Sequence, residues 1–326
     1  MARAVAILTV IISVLLTAFV WPSVRSSLHD VPIAVAGPAT AVQQVSAAIN
    51  QRLPDAFDIT EVADTAAAEQ LIRDREVYGA IDLSSGTPQV VTASAASAAV
   101  AQTLQSVAAG LHHAPAPGGS TAAARDLVPL PADDPRGAGL AAGALPLVMG
   151  GLLAVVLLTR LVRGTVRRVT AALVFAVTGG LAVAAILQFW LGSLDGAYWA
   201  NTSAIAVTIA ATSVSVLGLE SLLGYAGLGL GAITMMLIGN PLSGAATAPE
   251  MLPGWSGALG QLLPPGAGGQ LLRSTGFFDG HGAARPVIAL VTWLALGLAL
   301  CLAGSLRTRR AGSIADPAGR PGTPAV

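Results

Sequence analysis

Six uncharged, largely apolar segments dominate the sequence, at residues 4–20, 138–159, 169–191, 202–219, 222–238 and 286–306. A helix that crosses a bilayer needs roughly 17–25 such residues. Each segment is about that long, so the sequence is read as an α-helical membrane protein with six transmembrane helices. The first segment is taken as a retained anchor (domain 1–23). Only Arg3 precedes it, and Phe19, Val20, Trp21 and Pro22 are poor candidates for a small-x-small cleavage site that would mark it as a signal peptide.

Between the first and second segments the character changes. Residues 24–137 carry twelve acids against six arginines, and strand-like and helix-like patterns alternate. Strands are expected at 31–36, 58–62, 78–83 and 89–92. Val42, Val45, Ile49 and Leu53 recur at helical spacing, as do Val100, Leu104, Val107 and Leu111, with a further helix at 65–73. This predicts an extracytoplasmic α/β domain with a partly parallel sheet, inserted between helices 1 and 2. Residues 112–137 hold five prolines and little periodicity, so they are expected to be an extended tether back to the membrane.

Orientation follows from arginines close to the ends of the spans. Arg160, Arg163, Arg167 and Arg168 occupy the short loop between the second and third spans, and Arg307, Arg309 and Arg310 follow the sixth. Placing both clusters inside puts the two termini in the cytoplasm and the acidic domain outside. The spans then form a five-helix domain over 138–306, followed by a tail at 307–326. Residues 240–284 are too polar to span and too apolar for an ordinary loop. Their prolines bracket short helices, which predicts an outer re-entrant segment.

Composition excludes several functions. Hydrophobic residues make up 54% of the chain and charged residues 10%, and the net charge is zero, so there is no basic footprint for nucleic acid. Every one of the seventeen basic residues is arginine. A phosphate-binding loop of the Walker type needs a lysine, so ATP hydrolysis is expected on another chain. No catalytic motif is present, and His29, His112, His113 and His281 lack ligand spacing, so neither a metal nor another cofactor is expected. Cys301, the sole cysteine, is read as a small hydrophobe.

Within the spans, Thr208, Thr212 and Ser215 fall on one helix face, where hydroxyls serve either as helix-to-helix glue or as the wall of a translocation path. Gly227 and Gly231 form a small-xxx-small pair suited to close packing. Glu220 is the only charged residue between the fourth and fifth spans. A carboxylate at the bilayer centre is costly, so Glu220 to Gly224 is read as a tight cytoplasmic turn.

Three stretches carry a resemblance: Arg75-Glu-Val-Tyr-Gly-Ala-Ile81, Pro129-Leu-Pro-Ala-Asp-Asp-Pro-Arg-Gly137, and Gly239-Asn-Pro-Leu-Ser-Gly-Ala-Ala-Thr-Ala-Pro-Glu-Met-Leu-Pro253 with Leu262-Leu-Pro-Pro-Gly-Ala267. On these the chain resembles ABC-2-type permeases of the actinobacterial branch, with one helix, a large extracytoplasmic domain and five further helices. The resemblance implies an exporter subunit in the cell membrane, paired with itself or a second permease. It also implies a cytoplasmic nucleotide-binding ATPase docked on the loop of Arg160, Arg163, Arg167 and Arg168. The same order of elements resembles half of a proton-driven resistance-nodulation-division transporter, whose proton relay needs ionisable residues that these spans lack. A non-transporting receptor or assembly protein is a third reading.

Overall fold

The computed structural model describes residues 1–84, 88–111 and 124–314. Five helices in it are long and apolar enough to cross a membrane. They are α1 (Ala2–Val24), α5 (Ala138–Leu161), α6 (Thr165–Ala185) with the π-helical turn Ile186–Trp190 at its end, α7 (Tyr198–Leu223), and the Ala284–Arg307 part of α11 (Ala284–Ile314). This is the architecture of a multi-pass membrane protein. Helix α11 continues as far as Ile314, so the tail expected from residue 307 begins as helix; residues 315–326 lie outside the described residues.

The bundle is built around α7, 72% of whose most apolar window is buried, against 22% or less in the other four. Small residues on every side of α7 allow its neighbours' backbones to come close. Gly297 of α11 lies against the backbone of Val214 and Ser215, Gly218 against the Gly297 carbonyl, and Gly180 of α6 against the Thr202 carbonyl. Helix α1 is exposed along its most apolar window, as a lipid-facing segment would be.

The segment expected as a fifth span is shorter than the others. Helix α8 (Tyr225–Ala232) and the π-helical turn Ile233–Gly239 form one apolar rod. At 1.5 Å per residue it rises about 22 Å, short of a hydrocarbon core of ~30 Å. Gly224, with φ +62°, makes the turn between α7 and α8. From Asn240 the chain folds back through two 3₁₀ turns (Pro241–Ser243 and Pro249–Met251) and two helices, α9 (Ser256–Leu262) and α10 (Pro264–Phe277). They cap the end at which α8 stops.

Between α1 and α5 lies a five-stranded sheet of order β2-β1-β3-β4-β5. Its strands are β1 (Val31–Ala36), β2 (Phe57–Val62), β3 (Gly79–Asp82), β4 (Gln89–Thr92) and β5 (Ala124–Asp126). Strands β1, β2 and β3 are parallel, β4 runs antiparallel to β3, and β5 parallel to β4. Helices α2 (Ala39–Arg52) and α4 (Ala98–Leu111) cover one face through Val42, Ile49, Val100 and Leu104. Helix α3 (Thr65–Arg73) covers the other through Ala68 and Ile72. Both faces of β1 are therefore buried, and its sequence is apolar throughout. Strand β5 departs from the expected tether: residues 124–126 complete the sheet edge, while 112–123 lie outside the described residues.

The sheet rests on the refolded segment rather than hanging from a linker. Ala248 and Met251 pack under one face of the sheet core, and Phe278 packs into the core on the other face. The Ser27 amide donates to the Met251 carbonyl at 3.0 Å.

Candidate functional site

The refolded segment is held by glycines at points of backbone contact. A Cβ at Gly260 would lie 1.6 Å from the Leu242 carbonyl oxygen, at Gly257 1.9 Å from that of Pro249, and at Gly268 2.3 Å from Thr208 Cγ2. Such spacing admits no side chain, so α9 and α10 are fixed against the turns before them and against α7. The same packing fixes the polar residues that α9 and α10 carry: Gln261, Gln270, Arg273 and Ser274.

Arg75 meets them from above. It closes α3 with φ +62°, a left-handed conformation that turns the side chain down toward α10. Its guanidinium donates to the Gln270 carbonyl at 2.9 Å, to Gln270 Oε1 and to Ser274 Oγ, and lies 5.1 Å from the centre of the Phe278 ring. Burial lowers the Arg75 pKa to about 10, so the group stays charged at neutral pH. Beside it, Tyr78 donates to Glu250 Oε2 at 2.8 Å. Burial, and then the neighbouring carboxylate, push the Tyr78 phenol well up, so it remains a donor.

Arg273 lies on α10 and donates to the Ala245 carbonyl at 2.6 Å. Among the described residues, neither Arg75 nor Arg273 forms an ion pair. Two half-buried cations thus share a region with one carboxylate, Glu250, already hydrogen-bonded to Tyr78. Charge away from water is costly unless it is paired or hydrogen-bonded; Arg75 meets acceptors on Gln270 and Ser274, and Arg273 the Ala245 carbonyl.

Two cavities flank this charge cluster. Above lies an open cleft of about 600 Å³ between the sheet and the refolded segment, where Asp30, Arg75, Tyr78, Glu250 and Arg285 meet apolar Leu262 and Ala289. Below lies a narrow cavity of about 40 Å³ among α5, α7 and α10, mostly apolar, whose polar lining residues are Thr208, Ser243, Gln270 and Arg273. Gln270 borders both, and it is the residue that Arg75 grips.

The residues singled out from the sequence fall elsewhere or at the edge. Thr208 lines the narrow cavity, but its hydroxyl donates to the Ala204 carbonyl at 2.7 Å. Thr212 is buried beside Gly151, and Ser215 donates to the Trp293 carbonyl at 2.9 Å. Gly227 packs on the Leu219 carbonyl, and Gly231 on Val216. The four loop arginines divide. Arg168 is half-buried, donates to the carbonyls of Val162 and Thr159 at 2.8 Å each, and pairs with Glu220 at 3.3 Å. Arg160, Arg163 and Arg167 are exposed and form no ion pair among the described residues.

Sequence reading missed Arg75, Tyr78, Glu250, Gln270 and Arg273 as a group. Its one available signal was Arg273, an isolated charge within a long apolar and glycine-rich stretch. Among the described residues no group of three or more His, Cys, Asp or Glu is placed to hold a metal ion; His112 and His113 lie outside them. Compared with family models, curated proteins and solved structures, the chain has no match.

Proposed function

We propose that the chain is the permease-type subunit of an ABC-2-like exporter, driven by a separate cytoplasmic ATPase and paired with itself or a second permease. In this reading the rod Tyr225–Gly239 counts as a sixth span, completed toward the outer surface by α9 and α10. The α/β domain then faces outside and both termini face the cytoplasm, in accord with the arginine clusters. The observation that carries the reading is the division of the loop between α5 and α6. Arg168, near the start of α6, is consumed in holding that helix to α7 through Glu220, while Arg160 at the end of α5, Arg163 in the turn and Arg167 in the first turn of α6 are left exposed. Holding the helices together needs the first of these; the other three serve the positive-inside signal and are exposed to a partner on the same side. Exposed arginines suit bidentate contacts with carboxylates of a partner.

The test is charge reversal at Arg163→Glu together with Arg167→Glu. Association with the ATPase should fall sharply while the fold is kept, because neither side chain contributes to an internal ion pair. Undiminished association, in a variant whose topology is unchanged, contradicts the docking assignment. Topology needs its own check, since both substitutions weaken the positive-inside signal.

A further inference from the structure

The narrow cavity below the charge cluster pairs one incompletely used cation with an apolar wall. Arg273 presents five donors in a fixed fork, of which one is bonded, to the Ala245 carbonyl. Glu250, the carboxylate of the cluster, is held by Tyr78. The wall beneath is Leu140, Leu147, Leu187, Ile205 and Leu272, and the two hydroxyls that line the cavity, Thr208 and Ser243, already donate to the carbonyls of Ala204 and Asn240. A small soluble anion would meet the guanidinium and at most the Gln270 amide, while the apolar wall would replace none of the rest of its hydration shell. A molecule with an anionic head and an apolar tail would satisfy both parts of the wall.

The cavity also has room kept open beside α5 and α10. Gly143 and Gly269 both line it, and a Cβ at either would meet nothing within 4 Å. Unlike Gly257 and Gly260, these are not needed for backbone contact. Outward from Arg273 the next cations are Arg75, across Gln270, and Arg285, which is exposed in the cleft and forms no ion pair among the described residues.

We propose that Arg273 seats the anionic head group of an amphiphile whose apolar part lies along α5, and that the Arg75–Gln270 contact closes this seat from the outer cleft. The inference rests on the export reading and gives it a substrate class. The three arginines then form successive seats for one anionic group moving outward.

The test uses the purified full chain in nanodiscs, without ATPase, and native mass spectrometry to follow retained lipid. The probes are phosphatidylglycerol and phosphatidylcholine, with inorganic phosphate as competitor. The wild-type chain should retain phosphatidylglycerol about tenfold more strongly than phosphatidylcholine, as expected for a charge-assisted contact. Arg273→Gln should remove that preference, Arg273→Lys should keep part of it, and Gly143→Leu should weaken retention of both lipids by filling the cavity. If Arg273→Gln does not fold, Arg273→Lys and Gly143→Leu decide. Equal retention of the two lipids, a preference indifferent to Arg273, or retention indifferent to Gly143→Leu overturns the proposal. Displacement of phosphatidylglycerol by inorganic phosphate also overturns it, since the site would then be one for soluble anions. The Arg163→Glu, Arg167→Glu variant should keep the lipid preference whatever its effect on ATPase association, so failure of the docking reading and failure of this one are separable.

Discussion

Arg75 and Gln270, 195 positions apart in the sequence, are joined by hydrogen bonds from one guanidinium to both the backbone carbonyl and the side-chain oxygen of the glutamine. This fork fastens the α/β domain to the helices beneath it. It is half-buried and charge-assisted, so Arg75→Ala is expected to destabilise the chain by about 2–3 kcal/mol. Arg75→Gly loses the same bonds but suits φ +62° better, so it should lie about 1 kcal/mol above the alanine variant. Thermal unfolding of the two variants in detergent checks both values.

The α7–α11 seam is closed at Gly218, Gly297 and Gly304. A Cβ at Gly297 would stand 2.6 Å from the Ser215 amide nitrogen. Backbone cannot yield as a flexible side chain can, so Gly297→Ala should cost about 1–3 kcal/mol. Gly150→Ala is the control: nothing lies within 4 Å of its Cβ position, and its effect should stay within about 0.5 kcal/mol. The same unfolding assay compares them.

Asp82, at the end of β3, gives the sheet an acid-sensitive point. Burial alone would raise its pKa, but bonds from the Ser84 hydroxyl, the Thr65 hydroxyl and the Ser84 amide outweigh it, and the net shift is downward from the usual 3.8. A carboxyl lowered in the folded state contributes stability that is fully present above its unfolded pKa and is lost as pH falls through the lower, folded value. Unfolding midpoints should therefore drop as pH falls below about 3.8. Asp82→Asn should reduce stability near neutral pH by about 1–3 kcal/mol and flatten that dependence. A pH series of unfolding curves for the two proteins tests this.

The sequence was most informative where one local pattern decides the outcome. Thr65–Arg73 and Gln89–Thr92 form the helix and strand that their spacing predicts, and each of the five long apolar helices coincides with one of the six apolar segments. It was least informative where two distant segments decide together. Strand β5 exists because residues 124–126 find the edge of β4, which a proline-rich composition does not foretell. Arg75 and Arg273 each look like a surface charge or a topology signal when read singly. Their role depends on glycine contacts at Gly257, Gly260 and Gly268 that bring α10 beneath α3, and no periodicity encodes those contacts. The turn expected over Glu220 to Gly224 narrows to Gly224, since Glu220 stays within α7, and the partner of Glu220, Arg168, 52 positions away, was not legible.

Topology is checked by single cysteines in a Cys301→Ala background. Asp58 and Val166 are both exposed, one on β2 and one in the first turn of α6, beside the exposed Arg163 and Arg167. A membrane-impermeant thiol reagent added to intact cells should label Asp58→Cys and spare Val166→Cys. The reverse pattern would invert the orientation and place the charged cleft inside.

The central claim is that the bundle and its outer cleft form an export path driven from the arginine loop. It is tested most directly in proteoliposomes containing the full chain and any ATPase captured with it, following the transfer of fluorescent phosphatidylglycerol between leaflets. The account predicts ATP-dependent transfer toward the leaflet on the α/β side, lost in Arg273→Gln and in the Arg163→Glu, Arg167→Glu variant. Transfer driven by a proton gradient with no ATPase present, or transfer that neither set of substitutions alters, would contradict it.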